Sequence, residues 1–193
     1  MNALFLFLSL LLITTTPVHR IHDDIVWNVP TDEKMVAITF DDGPDILYTP
    51  DILTILKQYD AKATFFVVGF RAEKYPDIIK RQMNEGHEIA NHTYKHLDFR
   101  GKSKQTIEEE IKKSEDVLYD ITGKRPTLFR PPLGYYNKQI IDIAKQRGYT
   151  VVMWSKHQDT CDWQNPGTRR IVRRVVQHIQ PGQIIFVSRS RKR

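Results

Sequence analysis

The sequence predicts an α/β fold built on a parallel sheet, and three observations carry that expectation. From Lys34 onward, short apolar, β-branched runs alternate with longer stretches of helical period, the pattern of successive strand–helix–strand units. A chain of 193 residues, 40% hydrophobic and 27% charged, has the size and composition of one domain around one core. Polar clusters also follow the C-terminal ends of several proposed strands, the end at which α/β barrels build their sites.

In chain order, Met35–Phe40 reads as a strand, and Ile52, Leu53, Ile55, Leu56 and Tyr59 mark one face of the helix after it. Residues 63–68 form a second strand ended by Gly69, followed by one helix running through Ile78 and Ile79 to Asn84 and closed by Gly86. His87–Ala90 is a short third strand. Ser103 opens a long helix carrying Ile107, Ile111, Val117 and Leu118, since its hydroxyl can accept one of the first unpaired N–H groups. Thr127–Phe129, Tyr149–Trp154 and Ile184–Val187 supply the remaining strands, with helices near 137–147 and 168–179. Arg169 and Arg173, like Arg170 and Arg174, are four apart on the last helix and read as a solvated face. No internal repeat or long linker interrupts this organisation.

The formal charge of +6 is concentrated at one end: Arg189, Arg191, Lys192 and Arg193 belong to a basic tail over 188–193, and without them the charge is +2. The body is therefore nearly balanced and no nucleic-acid partner is expected, although a basic surface would suit an anionic cell wall. Cys161 is the single cysteine, which excludes an internal disulfide and leaves the redox compartment open. Residues 3–13 are almost unbroken apolar sequence before Thr14-Thr15-Thr16-Pro17. That run falls well short of the ~20 residues of a spanning helix, so residues 1–20 read as a signal peptide and the protein as secreted or cell-wall associated. No Lys or Arg precedes the run and no small-x-small cleavage site follows it, which keeps an uncleaved membrane anchor or a buried helix as alternatives.

The chemistry sits in Asp41-Asp42-Gly43-Pro44, residues 91–96, Arg130-Pro131-Pro132 and residues 159–163. His92 and His96 are four apart, so a helical turn would project both imidazoles from one face toward a single cation, an arrangement that suits Zn2+. One carboxylate of the Asp41–Asp42 pair can be the third ligand and the other a base, because a divalent cation acidifies water and polarises a carbonyl beside it. Taken singly, two histidines at this spacing are more often surface or satisfied residues, and two aspartates before Gly-Pro more often a turn.

Together, residues 39–44, 92–96, 130–134 and 159–163 resemble, in order and spacing, four motifs of the NodB-like polysaccharide deacetylases of carbohydrate esterase family four, a similarity covering residues 30–187. The resemblance implies a distorted (β/α) barrel and a metal-dependent hydrolase removing N-acetyl groups from a polysaccharide such as peptidoglycan, the first choice, or chitin. It implies Asp41 as general base, Arg130 as the cation holding it, and Asp42, His92 and His96 as ligands of a divalent cation, most simply Zn2+. A backbone N–H near Leu133, after Pro132, would stabilise the oxyanion, and Trp163 would wall the sugar groove. Leu133 stands where family members often carry tyrosine, a change that a backbone donor tolerates.

The departure comes at the last motif, a strand ending Leu-x-His whose histidine protonates the leaving amine and is oriented by the aspartate matching Asp162. Here Phe186 stands at the leucine and Ser188 at the histidine. The sequence is thus expected to be a C-terminally incomplete domain of reduced activity, with an exposed apolar edge on the Ile184–Val187 strand. A non-catalytic wall-binding protein that has lost its general acid is the alternative.

Overall fold

The structure is a computed structural model that describes residues 24–188; the proposed signal peptide and the charged tail from Arg189 onward lie outside the described residues. Strands β1 (Ile25–Val26), β2 (Ala37–Gly43), β3 (Thr64–Val67), β4 (Glu88–Asn91), β5 (Leu128–Phe129), β6 (Thr150–Val152) and β7 (Ile184–Val187) form one sheet in the order β1-β6-β5-β4-β3-β2-β7. Every ladder in it is parallel. The connecting helices are α1 (Thr49–Gln58), α2 (Gly69–Lys74), α3 (Pro76–Asn84), α4 (Lys104–Thr122), α5 (Lys138–Gln146) and α6 (Thr168–Val176). The α/β expectation holds, and the sheet curls into the distorted (β/α) barrel.

Alternation along the strands builds two layers of core. Phe66, Ala90, Leu128, Val152 and Ile184, one from each of five strands, pack together in the barrel interior. Phe65 and Val67 point the other way, against Leu53, Leu56, Ala72, Ile79 and Leu118 of the helices. Ile107 and Ile111 of α4 meet Ile140, Ile141 and Ala144 of α5 over Phe129 and Val151. Ser103 caps α4 as its residue type requires, accepting the Thr106 N–H at 3.1 Å.

Two expectations need correction, and one strand was not anticipated. The single helix after the second strand is two, because Pro76 lacks an N–H and disfavours helical backbone at Tyr75, which sits at φ −130, ψ 58; Pro76 then serves as the first residue of α3. β1 is two residues long, too short for an alternation signal to reveal. The outer edge of β7 is not bare. The segment after β6 runs beside it: Ser155 N–H donates to Ile184 O at 3.0 Å, Phe186 N–H to Gln158 O at 2.9 Å, and Thr160 N–H to Phe186 O at 3.2 Å. A bridge between Asn28 and Gln183 joins the two ends of the curled sheet.

Gly182 marks where the chain enters β7. Its φ is +75, and an added Cβ would lie 1.9 Å from Val29 O, whose residue donates its N–H to Gly182 O at 2.8 Å. Gly182→Ala is expected to lower unfolding stability by about 3–5 kcal/mol, combining left-handed strain with a backbone clash. Urea denaturation of the two proteins measures it.

Candidate functional site

Successive strand residues normally face opposite sides of a sheet, so Asp41 and Asp42 should diverge. They converge because β2 shifts register against β3 between Asp41 and Gly43, with Asp42 at φ +66. This bulge re-aims the second side chain. Asp41 Oδ2 and Asp42 Oδ1 consequently lie 3.7 and 3.6 Å from the same atom, His92 Nε2.

The two histidines reach the site without a helical turn, contrary to expectation. His92 leaves the end of β4, and the chain reverses through left-handed Thr93 (φ +66) and His96 (φ +56). Asn91 causes the turn: its Oδ1 accepts the Thr93 N–H at 2.8 Å, while its Nδ2 donates to Ile111 O at 3.0 Å and to Tyr149 Oη at 2.9 Å. Glu110 of α4 straps the far side, accepting the Lys95 N–H at 2.7 Å on Oε2. Thr93 Oγ1 accepts the His96 N–H at 3.1 Å. His96 Nε2 thereby arrives 3.1 Å from Asp42 Oδ1. The role of Asn91 and Glu110 was missed in the sequence; the single cue was a polar residue at the end of an apolar strand.

Arg130, immediately after β5, is wholly buried. Its guanidinium donates to Asp41 Oδ1 at 2.6 Å, Thr39 Oγ1 at 2.9 Å, Val152 O at 3.0 Å and Met153 O at 2.9 Å, and its carbon sits 3.9 Å from the centre of the Phe66 ring. Its carbonyl has a separate task. His92 Nδ1 lies 2.7 Å from Arg130 O, an atom that can only accept, so Nδ1 carries the hydrogen and Nε2 faces the carboxylates.

Burial raises the Asp41 carboxyl above its usual range, against the opposing pull of Arg130 and His92. Burial acts on Asp42 in the same sense but is outweighed by the hydrogen bond and charge of His92 and by His96, which hold it well below the carboxylate range. His92 is raised, because the two aspartates overcome its burial. His96 is lowered to about 4 by burial and then by the neighbouring charge of His92. The cluster thus attracts one positive charge into a dry pocket. Asp42, His92 and His96 each bring a ligand atom within 4.8 Å of the others. Two imidazole nitrogens and one carboxylate oxygen, with the tautomer of His92 fixed from behind, are a donor set that fits a divalent cation.

The remaining sequence candidates lie further out. Pro132 is buried in the 3-10 turn Pro132–Gly134, and Leu133 at its tip is 58% exposed with φ +57. Trp163 is 43% exposed on the turn Asp162–Gln164. Asp162 is linked to the cluster through Ser188, whose N–H it accepts at 3.0 Å while the Ser188 hydroxyl donates to Asp42 Oδ2 at 2.9 Å.

This arrangement can be compared with known proteins. The family model described as "Polysaccharide deacetylase" matches residues 28–152. The chain belongs to the polysaccharide deacetylase family. It is 46% identical, over 84% of its length and 76% of the relative's, to a peptidoglycan-N-acetylglucosamine deacetylase of Bacillus cereus. Among solved structures, a peptidoglycan N-acetylglucosamine deacetylase in complex with 4-naphthalen-1-yl-N-oxidanyl-benzamide superposes with a TM-score of 0.83 at 36% identity, covering 90% of this chain and 81% of that one. A mutant of a CE4 family pseudoenzyme, with restored enzymatic activity, superposes with a TM-score of 0.80 at 30% identity, covering 86% and 61%. Across eight of the curated relatives it matches, the chain spans from 32% to 76% of their lengths.

In this deacetylase fold, removing one partner of the Arg130–Asp41 pair leaves the other charge buried. Arg130→Met is expected to cost about 3–5 kcal/mol, and adding Asp41→Asn to return a large part of it. Chemical denaturation of the wild type, both single variants and the double variant measures the coupling.

Proposed function

We propose that this chain is a metal-dependent hydrolase that removes N-acetyl groups from a secreted-side polysaccharide, with peptidoglycan N-acetylglucosamine as the first substrate and chitin the second. The observation that carries the reading is the convergence of Asp42, His92 and His96 beside the Arg130-bound Asp41. The names of the relatives support the substrate class, and the apolar run in residues 3–13 supports secretion or cell-wall association.

A divalent cation, most simply Zn2+, held by Asp42, His92 and His96 would supply Lewis-acid chemistry, polarising the acetamide carbonyl and acidifying water. Asp41 then accepts the proton of the attacking water on the oxygen turned away from Arg130. Its raised pKa makes it a stronger base than an ordinary carboxylate, and Arg130 keeps it from rotating away. A backbone N–H at Leu133 would face the developing oxyanion, and the exposed Trp163 offers a flat face to a sugar ring. Attack breaks the amide C–N bond, giving acetate and an amine that needs a proton to leave. The Ser188 hydroxyl is no acid at neutral pH, so the proton held by Asp41 is the nearest one to return, and hydrolysis is slow.

That same serine favours a second reading, a polysaccharide-binding protein that keeps the groove and the metal but not turnover. Acetate release from N-acetylglucosamine oligomers separates the two. Weak but metal-dependent release is expected, with an activated aryl acetate cleaved relatively better because its leaving group needs no proton. No release at any metal concentration, with oligomer binding intact, establishes the binding protein instead.

Three variants test the roles. His92→Ala and His96→Ala are each expected to weaken Zn2+ binding sharply in calorimetric titration, and unchanged affinity in both rules out the pair as ligands. Asp41→Asn is expected to retain Zn2+ and to lose acetate release by about 10²-fold or more. Loss of metal in that variant would exchange the roles of Asp41 and Asp42.

A further inference from the structure

Ser188 is the last described residue, and its hydroxyl and its N–H are both bonded to aspartates of the site region. Its side chain is buried, 7% exposed, immediately after β7, whose pairing with β2 brings it beside Asp42, 146 residues earlier in the chain. The hydroxyl donates to Asp42 Oδ2 at 2.9 Å. That bond occupies one oxygen of the carboxylate and turns the other, Oδ1, to the imidazoles, 3.1 Å from His96 Nε2 and 3.6 Å from His92 Nε2. Ser188 is itself held. Its N–H donates to Asp162 Oδ1 at 3.0 Å, and the Thr160 hydroxyl donates to the same oxygen at 2.8 Å.

We infer that Ser188 is a positioning residue for the metal ligand Asp42, and that Thr160 and Asp162 act through it. Asp42 has unusual need of such a partner. It stands at a strand bulge with φ +66, so neither a regular ladder nor the ordinary alternation of side chains fixes the rotation of its carboxylate. With Oδ2 bonded to a hydroxyl, the carboxylate offers a cation one oxygen in a fixed direction, and the three donors close on one point. Without the hydroxyl, the carboxylate can rotate to present both oxygens or neither, and the site loses its preorganisation. The position at which the resemblance places a proton-donating histidine is in this chain part of the metal cradle, and Asp162 anchors a backbone N–H there.

The inference rests on the metal site proposed above, and the test keeps the two apart. Zn2+ titrations by calorimetry, and Co2+ absorption spectra as a report on ligand geometry, are recorded on the full chain as wild type, Ser188→Ala, Ser188→Thr and Thr160→Val. Ser188→Ala is expected to lower Zn2+ affinity by about 10–100-fold and to alter the Co2+ bands, the usual scale for losing a hydrogen bond to a metal ligand. Ser188→Thr keeps the hydroxyl and is expected to stay close to wild type in both measurements. Thr160→Val, which touches neither Asp42 nor Ser188, is expected to shift affinity in the same direction by a smaller factor and serves if Ser188→Ala does not fold. Wild-type affinity and unchanged Co2+ bands in Ser188→Ala, or in Thr160→Val when that variant stands in, would overturn the inference while leaving the metal site standing. A wild-type chain that binds neither cation overturns the metal site and the inference with it.

Discussion

The site depends on a single demand, that a guanidinium buried inside the barrel must find acceptors for its donors. Arg130 meets it with the carbonyls of Val152 and Met153 at the end of β6, a hydroxyl on β2 and the Asp41 carboxylate on β2. Each of those acceptors must stand at a fixed place, so meeting the demand locks the C-terminal ends of β2, β5 and β6 to one another. Two buried ions are an expensive way to hold strands together, since apolar side chains of the same volume commonly do it as well. What the pair provides and apolar packing does not is a carboxylate held in one orientation in a dry place.

The same residue orders the other half of the site. Its side chain fixes Asp41, and its carbonyl fixes the ring of His92 by accepting Nδ1–H at 2.7 Å. Asp41 and His92 are therefore set by one residue just after β5, and their spacing does not depend on the surface loops. His96 and Asp42 are held by separate means, the first by a left-handed turn tied to Asn91 and Glu110, the second by a strand bulge and Ser188. Of Asp42, His92 and His96, the two offered through irregular backbone are those with the most side-chain support.

The parts of this design that were legible in the sequence are those that residue type dictates. Long β-branched runs such as Thr64–Val67 must be strands, and Ser103 before a helical run must cap it. The grouping of Asp41, Asp42, His92, His96 and Arg130 was legible through the resemblance of four motifs taken together, since singly these residues have commoner uses. Geometry set by hydrogen bonds to the backbone was not legible. Histidines four apart suggest a helix, yet the Asn91 side chain competes for the Thr93 N–H and wins the turn. The edge of β7 looked bare because residues 155–160 carry no alternating pattern; they cover it with main-chain groups, for which any residue type serves. Pro76 is a different case, since the signal was present and the helical period on either side obscured it.

Charge explains why a neutral residue at position 188 suits cation binding better than turnover. Arg130 and Asp41 cancel each other at 2.6 Å, which leaves Asp42 as the second carboxylate beside the two imidazoles. A carboxylate beside two imidazole nitrogens favours a divalent cation. A cationic proton donor at position 188 would oppose that cation at close range; a hydroxyl does not, and it adds a hydrogen bond to the ligand. Hydrolysis asks for the reverse, because the departing amine must find a proton on its own side of the scissile bond. Holding a cation and releasing an amine would therefore place opposite demands on the residue after β7, and a serine there suits the first.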